Sequence, residues 1–188
     1  YWAHEMDVAG GEVAACMGTC RVALDGEAFR VVAGLRDVPL MVELTLIPEV
    51  APSFSNNIHL VAGQSLSWLA VPRLRAAGVV RCAGRTHRVD GAIAYHDHNW
   101  GYFEWGADFA WEWGYTVPAA DGCPWSVMFV RLSDRALTST RTQALTLWRG
   151  PEIVRSFRGS DLRIRSEGFL GPRSVFKVPP VMGLLAAG

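Results

Sequence analysis

Turn-forming residues recur so often along this chain that no long helix fits between them. Gly, Pro, Asp and Asn break it at intervals of about eight to twelve residues, and the segments between them alternate or read as short β-rich runs. Residues 28–35 (AFRVVAGL), 40–47 (LMVELTLI), 57–63 (NIHLVAG) and 66–71 (LSWLAV) are the first strand-sized runs. A hairpin through GRTH joins 78–84 to 87–101, strands follow at 109–117 and 124–132, and a further pair at 142–150 and 152–159 turns at Gly150 and Pro151. Successive strands with short links predict an all-β antiparallel meander. Closing it into a lipocalin-like barrel removes its exposed edges. Beyond Gly159 the pattern resumes briefly and then dissolves. Residues 1–165 are therefore expected to form the lipocalin-like β-barrel domain, and residues 166–188 a tail or the start of a second, incomplete β domain.

Composition narrows the function classes. Half of the 188 residues are apolar, 19% are charged and the net charge is zero, so the chain can fill a core. A nucleic-acid partner is not expected, because the positive charge is scattered arginine, with Lys177 the only lysine. Apolar runs fall short of the roughly 20 residues of a spanning helix. A cytoplasmic or membrane-peripheral location is favoured, and because the chain begins with Tyr1 rather than Met, a missing native N-terminus is expected. Oligomeric state is not legible. Cys16, Cys20, Cys82 and Cys123 lack the paired spacing of a zinc knuckle and are expected to be free buried thiols. Eight tryptophans are a surplus that suits a wide interior or an apolar ligand cavity.

Residues 95–101, YHDHNWG, concentrate the titratable groups. Strand parity places His96, His98 and Trp100 on one face and Tyr95, Asp97 and Asn99 on the other. In the strand that follows, Phe109, Trp111, Trp113 and Tyr115 form an aromatic wall, with small residues and Glu112 behind it. Three chemistries suit the motif. His96 and His98 are a pair of imidazole ligands for a metal, with His4, His59, His87, Glu43 or Glu104 as a third. Alternatively, Asp97 handles a proton without any cofactor: burial favours its acid form, a cationic imidazole its ionised form, and indole faces stabilise a developing carbocation. The third reading is a hydrogen-bonded cluster that locks the end of a strand. No GxSxG elbow or phosphate-binding glycine loop is present.

GAIAYHDHNWG followed by FAWEWGYTV resembles the hydroxyneurosporene synthase family, the carotenoid 1,2-hydratases with their AttH-like and lipocalin-like relatives. The likeness covers roughly residues 27–165. It implies a lipocalin-type barrel, one of a tandem, and a cofactor-independent lyase or cyclase acting on an apolar polyene or isoprenoid, by acid-catalysed hydration or by polyketide cyclisation. Carried across, Asp97 would be the proton donor, His96 or His98 its tuner and water-positioning base, and Tyr95, Trp100, Trp111 and Trp113 the pocket wall; Asn99 and Trp105 are further candidate substrate contacts. The alternatives are a non-catalytic carrier of an apolar small molecule and a metal-dependent enzyme using His96 and His98. The expected partner is an apolar small molecule, and peripheral membrane association stays open.

Overall fold

The computed structural model describes residues 6–8, 14–34, 37–60, 63–104, 109–116 and 122–164. Trp105, His4 and the segment 166–188 lie outside them. The described residues form β1 (Met6–Val8), β2 (Ala14–Met17), β3 (Cys20–Asp25), β4 (Ala28–Gly34), β5 (Leu40–Pro48), β6 (Ser53–His59), β7 (Ser65–Cys82), β8 (Arg85–Tyr102), β9 (Ala110–Tyr115), β10 (Trp125–Ser133), β11 (Thr140–Arg149) and β12 (Glu152–Arg158). One sheet runs β1-β2-β3-β4-β5-β7-β6 with β8 along the other side of β7, and a second runs β12-β11-β10-β9. Every ladder is antiparallel. The architecture is all-β and lipocalin-like, as the turn spacing predicts.

One difference from the sequence reading organises the rest. Residues 66–71 and 78–84 read as two strands parted by Pro72, yet they belong to one 18-residue strand, β7, paired with the equally long β8. Proline survives inside a sheet where a bulge removes the need for its N–H. Val71 pairs with His96 and Leu74 with Ala94, so Pro72 and Arg73 together oppose Tyr95. The extra residue reverses which side chains face each way. Leu66, Trp68 and Ala70 are buried on one face before the bulge, and Leu74 and Ala76 on the other face after it. A matching extra residue in β8, Gly91 with φ +72°, sits between the pairs Ala76–Ala92 and Ala77–Asp90 and restores the register.

The first sheet is strongly rolled. Phe29 on β4 and His96 on β8 are three strands apart, about 14 Å on a flat sheet, yet their ring centroids lie 4.4 Å apart. Phe29, Val71 and Leu74 belong to a core that also takes in Leu66, Trp68, Met128, Val130, Leu132 and Trp148, so side chains of both sheets pack as one cluster. Behind the aromatic wall of β9, the ring of Phe129 fills the space over Gly114, and Arg131 pairs with Glu112. The tryptophans divide: Trp68 and Trp148 are buried, whereas Trp100, Trp113 and Trp125 are exposed. The four cysteines are free, but none is buried as expected; Cys82 is exposed and the others half-buried. Cys16 and Cys20 sit on a two-stranded hairpin, β2–β3, that the sequence reading did not anticipate.

Two measurements check this account. At Gly78, φ is +146° and an added Cβ would stand 2.1 Å from the Glu43 carbonyl oxygen on β5. Gly78→Ala should therefore lower unfolding free energy by about 3 kcal/mol in urea titrations, since backbone has to move to admit the methyl group. His96 is held below its ordinary value of 6.5, chiefly by burial, with the Asp97 charge opposing and the His98 charge reinforcing that shift. The folded chain thus favours neutral His96, and stability present above pH 6.5 is lost as pH falls below it. In His96→Phe, thermal melts should show a smaller loss between about pH 6.5 and 5.

Candidate functional site

The YHDHNWG segment lies at the C-terminal end of β8, where the backbone sends alternate side chains to opposite faces of the first sheet. His96 turns onto Phe29, inside the roll. His98 is exposed, its ring 5.2 Å from Trp100, and Trp100 lies 5.7 Å from Phe54 of β6. Tyr95, Asp97 and Asn99 occupy the other face, toward the second sheet. The two imidazoles therefore point to the face opposite the Asp97 carboxylate, and among the described residues no hydrogen bond joins either to it, although its charge reaches His96. A third ligand for them is also missing: among the described residues no three His, Cys, Asp or Glu side chains cluster in a metal-holding arrangement. Glu43 is taken by Arg81 at 2.7 Å.

What does converge is a carboxylate, a phenol and several indoles. Trp68 Nε1 donates to Asp97 Oδ2 at 3.2 Å, and the Trp68 ring meets Trp111 of β9 edge-on with centroids 6.1 Å apart. Trp113 Nε1 donates to Tyr95 Oη at 3.1 Å, and the Tyr95 ring stacks on Tyr115 at 3.9 Å. Each contact follows from register. Trp68 opposes Asn99 across β7 and β8, which leaves its indole on the face and within reach of Asp97. Trp111, Trp113 and Tyr115 share one face of β9, opposite Leu132, Val130 and Met128 of β10. Asp97 is half-buried, and Asn99 Oδ1 beside it is buried without a hydrogen-bond partner. The Tyr95 hydroxyl is driven far above its ordinary value of 10.0: burial is the main cause, the Trp113 N–H opposes it, and the neighbouring Asp97 carboxylate adds to it. Tyr95 is therefore a fixed, protonated phenol rather than an acid in use.

Of the residues expected to form the site, Tyr95, Asp97, Asn99, Trp111 and Trp113 come together, His96, His98 and Trp100 point elsewhere, and Trp105 falls outside the described residues. Trp68 and Tyr115 join the set. Trp68 stands 29 residues before Asp97, but counting outward from the Ala83–Gly84 turn places it opposite Asn99, because the two bulges between cancel. Sequence reasoning also missed a cleft of about 470 Å³ near the corner after β5, lined by Glu49, Arg73, Arg75, Gly122, Cys123, Pro124, Gly150 and Pro151. No described tryptophan lines it.

Comparison with known proteins supports the fold. No protein-family model matches the chain, and no curated protein matches it. Among solved structures it is similar to a crystal structure of a "putative AttH" from Nitrosomonas europaea, with a TM-score of 0.56 and 15% sequence identity over 74% of this chain. The match spans 44% of the length of that protein. At this identity the likeness is one of architecture: the chain has an AttH-like, lipocalin-like fold.

Proposed function

We propose that the chain binds an apolar, unsaturated small molecule of the polyene or isoprenoid class against the face built by Trp68, Tyr95, Trp111, Trp113 and Tyr115, and that Asp97 transfers a proton to it. This is cofactor-independent lyase or cyclase chemistry, of which hydration of a double bond is the simplest case. The observation that carries the reading is the Asp97 carboxyl, half-buried and oriented by the buried Trp68 indole N–H, on the face it shares with Tyr95, whose partners Trp113 and Tyr115 are exposed. Protonation of an alkene leaves a carbocation, and aromatic faces stabilise a cation through their quadrupoles without competing for the proton. Tyr95 and Trp68 act as positioning residues, one lending a fixed polar edge and the other fixing the carboxyl rotamer. The AttH-like fold agrees with the resemblance of the motif to the carotenoid 1,2-hydratases.

A second reading has its own observation. Asp97 already accepts from Trp68, so the carboxylate also serves as a lock between β7 and β8, and the same aromatic face would then carry an apolar ligand without changing it.

Fluorescence and turnover separate the two. All-trans-retinol, a conjugated polyene probe, should quench tryptophan emission saturably, and Trp113→Ala should weaken that binding by about tenfold, near 1.4 kcal/mol. Asp97→Asn should keep the quenching and lose conversion of whichever apolar compound co-purifies with the chain. Undiminished conversion in Asp97→Asn would remove the proton donor; binding with no conversion in the wild-type chain would select the carrier.

A further inference from the structure

The cleft after β5 is floored by charge, not by rings. Glu49 stands between two arginines that the Pro72 bulge has turned to the same side of β7. Arg73 Nε donates to Glu49 Oε2 at 2.9 Å and Arg75 Nε to Glu49 Oε1 at 2.8 Å. Their Nη1 atoms are also taken, Arg73 by the Cys123 carbonyl and Arg75 by the Gly91 carbonyl, both at 2.7 Å. Each guanidinium is thus held in rotation by two bonds, while Nη2 of each has no partner among the described residues. Burial acts to raise the Glu49 carboxyl, but hydrogen bonds and charge from Arg75 and Arg73 outweigh it and hold the group below its ordinary value of 4.5. At neutral pH the set therefore carries two positive charges against one negative.

A carboxylate bridging two arginines would suffice as a staple within the first sheet, between the end of β5 and β7. The geometry goes further, with a surplus positive charge, an Nη2 left over on each immobilised guanidinium, and a cleft that both arginines line together with Pro124, Pro151 and two glycines. Immobilised donors lose little entropy on binding, and a charged N–H from each of two guanidiniums can be shared by the oxygens of one oxyanion. The volume lies within the range of small-ligand sites. We propose that this cleft is a binding site for an oxyanion, a carboxylate or phosphate group, received by one Nη2 donor from each of Arg73 and Arg75. It is a site separate from the aromatic face and does not depend on the chemistry assigned to Asp97.

Calorimetric titration of the chain with inorganic phosphate, and in parallel with octanoate, tests the site. Saturable binding at one equivalent is expected, weakening as sodium chloride rises. Arg75→Gln should reduce affinity by about tenfold or more. Arg75 is chosen because its side chain is 34% exposed, against 12% for Arg73, so the fold should tolerate its loss. Glu49→Gln removes the internal competitor and should tighten phosphate binding by about threefold or more. This outcome is the discriminating one, because a purely structural staple gives no gain in anion affinity when its carboxylate is neutralised. Should Arg75→Gln fail to fold, Arg75→Lys, which keeps the charge and loses the fork, should show a smaller but measurable loss. Octanoate binding tighter than phosphate assigns the cleft to the acid head of an apolar ligand, and the reverse order assigns it to a free oxyanion. Absence of saturable heat with both anions, or affinity unchanged in Arg75→Gln and Glu49→Gln alike, overturns the proposal. Retinol quenching in Arg75→Gln should match the wild-type chain, so failure of either site leaves the other standing.

Discussion

Two residues of one strand opposing a single residue of its partner determine which side chains of this molecule meet. With Pro72 and Arg73 set against Tyr95, β7 can continue for 18 residues past a proline and bury apolar groups on both of its faces. Without the bulge, Leu74 and Ala76 would point the same way as Trp68 and Ala70, and the rolled half of the sheet would lose its floor. The same reversal carries Arg73 and Arg75 out of the roll and toward the second sheet. Bulge, roll and arginine pair are therefore consequences of one local irregularity. Gly91 on β8 completes it, since its left-handed φ supplies the compensating extra residue at low steric cost.

That ladder also explains how polar groups are tolerated so near the core. Asp97 lies one register step from Trp68, so the indole that fills the apolar space between the sheets also supplies the N–H the carboxylate needs. Glu49 follows the same logic on a larger scale, its two oxygens each taken by a different arginine. A carboxylate stripped of water is costly unless donors replace it, and here each replacement is delivered by strand pairing rather than by a flexible loop. Tyr95, between them on β8, is held protonated by burial and by the adjacent carboxylate. The face toward the second sheet thus runs from an arginine–glutamate set, past a phenol, to an indole-bound carboxylate.

Much of this was legible in the amino-acid order, and the failures have physical causes. The all-β class followed from turn spacing, and parity correctly separated His96 and His98 from Asp97 before any coordinates. What parity could not say is which face lies inward at each point, because a rolled sheet has two interiors. His96, half-buried, packs against Phe29 on one side while Asp97 meets Trp68 on the other. Pro72 misled the strand assignment, since a bulge is invisible without its partner strand. Trp68 escaped notice because its role depends on register across a hairpin, although a count from Gly84 would have found it. The cleft was hidden for a stronger reason: Glu49, Arg73, Cys123 and Pro151 come from four separate segments and share no motif.

Among the described tryptophans, Trp68, Trp111, Trp113 and Trp148 serve the seam between the sheets rather than a single lined cavity. A buried indole usually needs an acceptor for its N–H, and Trp148 shows how that works here. Trp148, on β11 of the second sheet, donates at 2.7 Å to the carbonyl of Ala51, in the corner between β5 and β6 of the first. Trp113 of β9 reaches Tyr95 of β8 across the same divide, and Trp68 reaches back to Asp97 along the first sheet. In each case one side chain contributes a large apolar area and a directed hydrogen bond at once, which phenylalanine or leucine cannot do. Two sheets joined mainly by side-chain packing need such contacts to hold their relative position. The rings of Trp113 and Tyr115, still partly open to solvent after making theirs, remain as the surface on which an apolar ligand can rest.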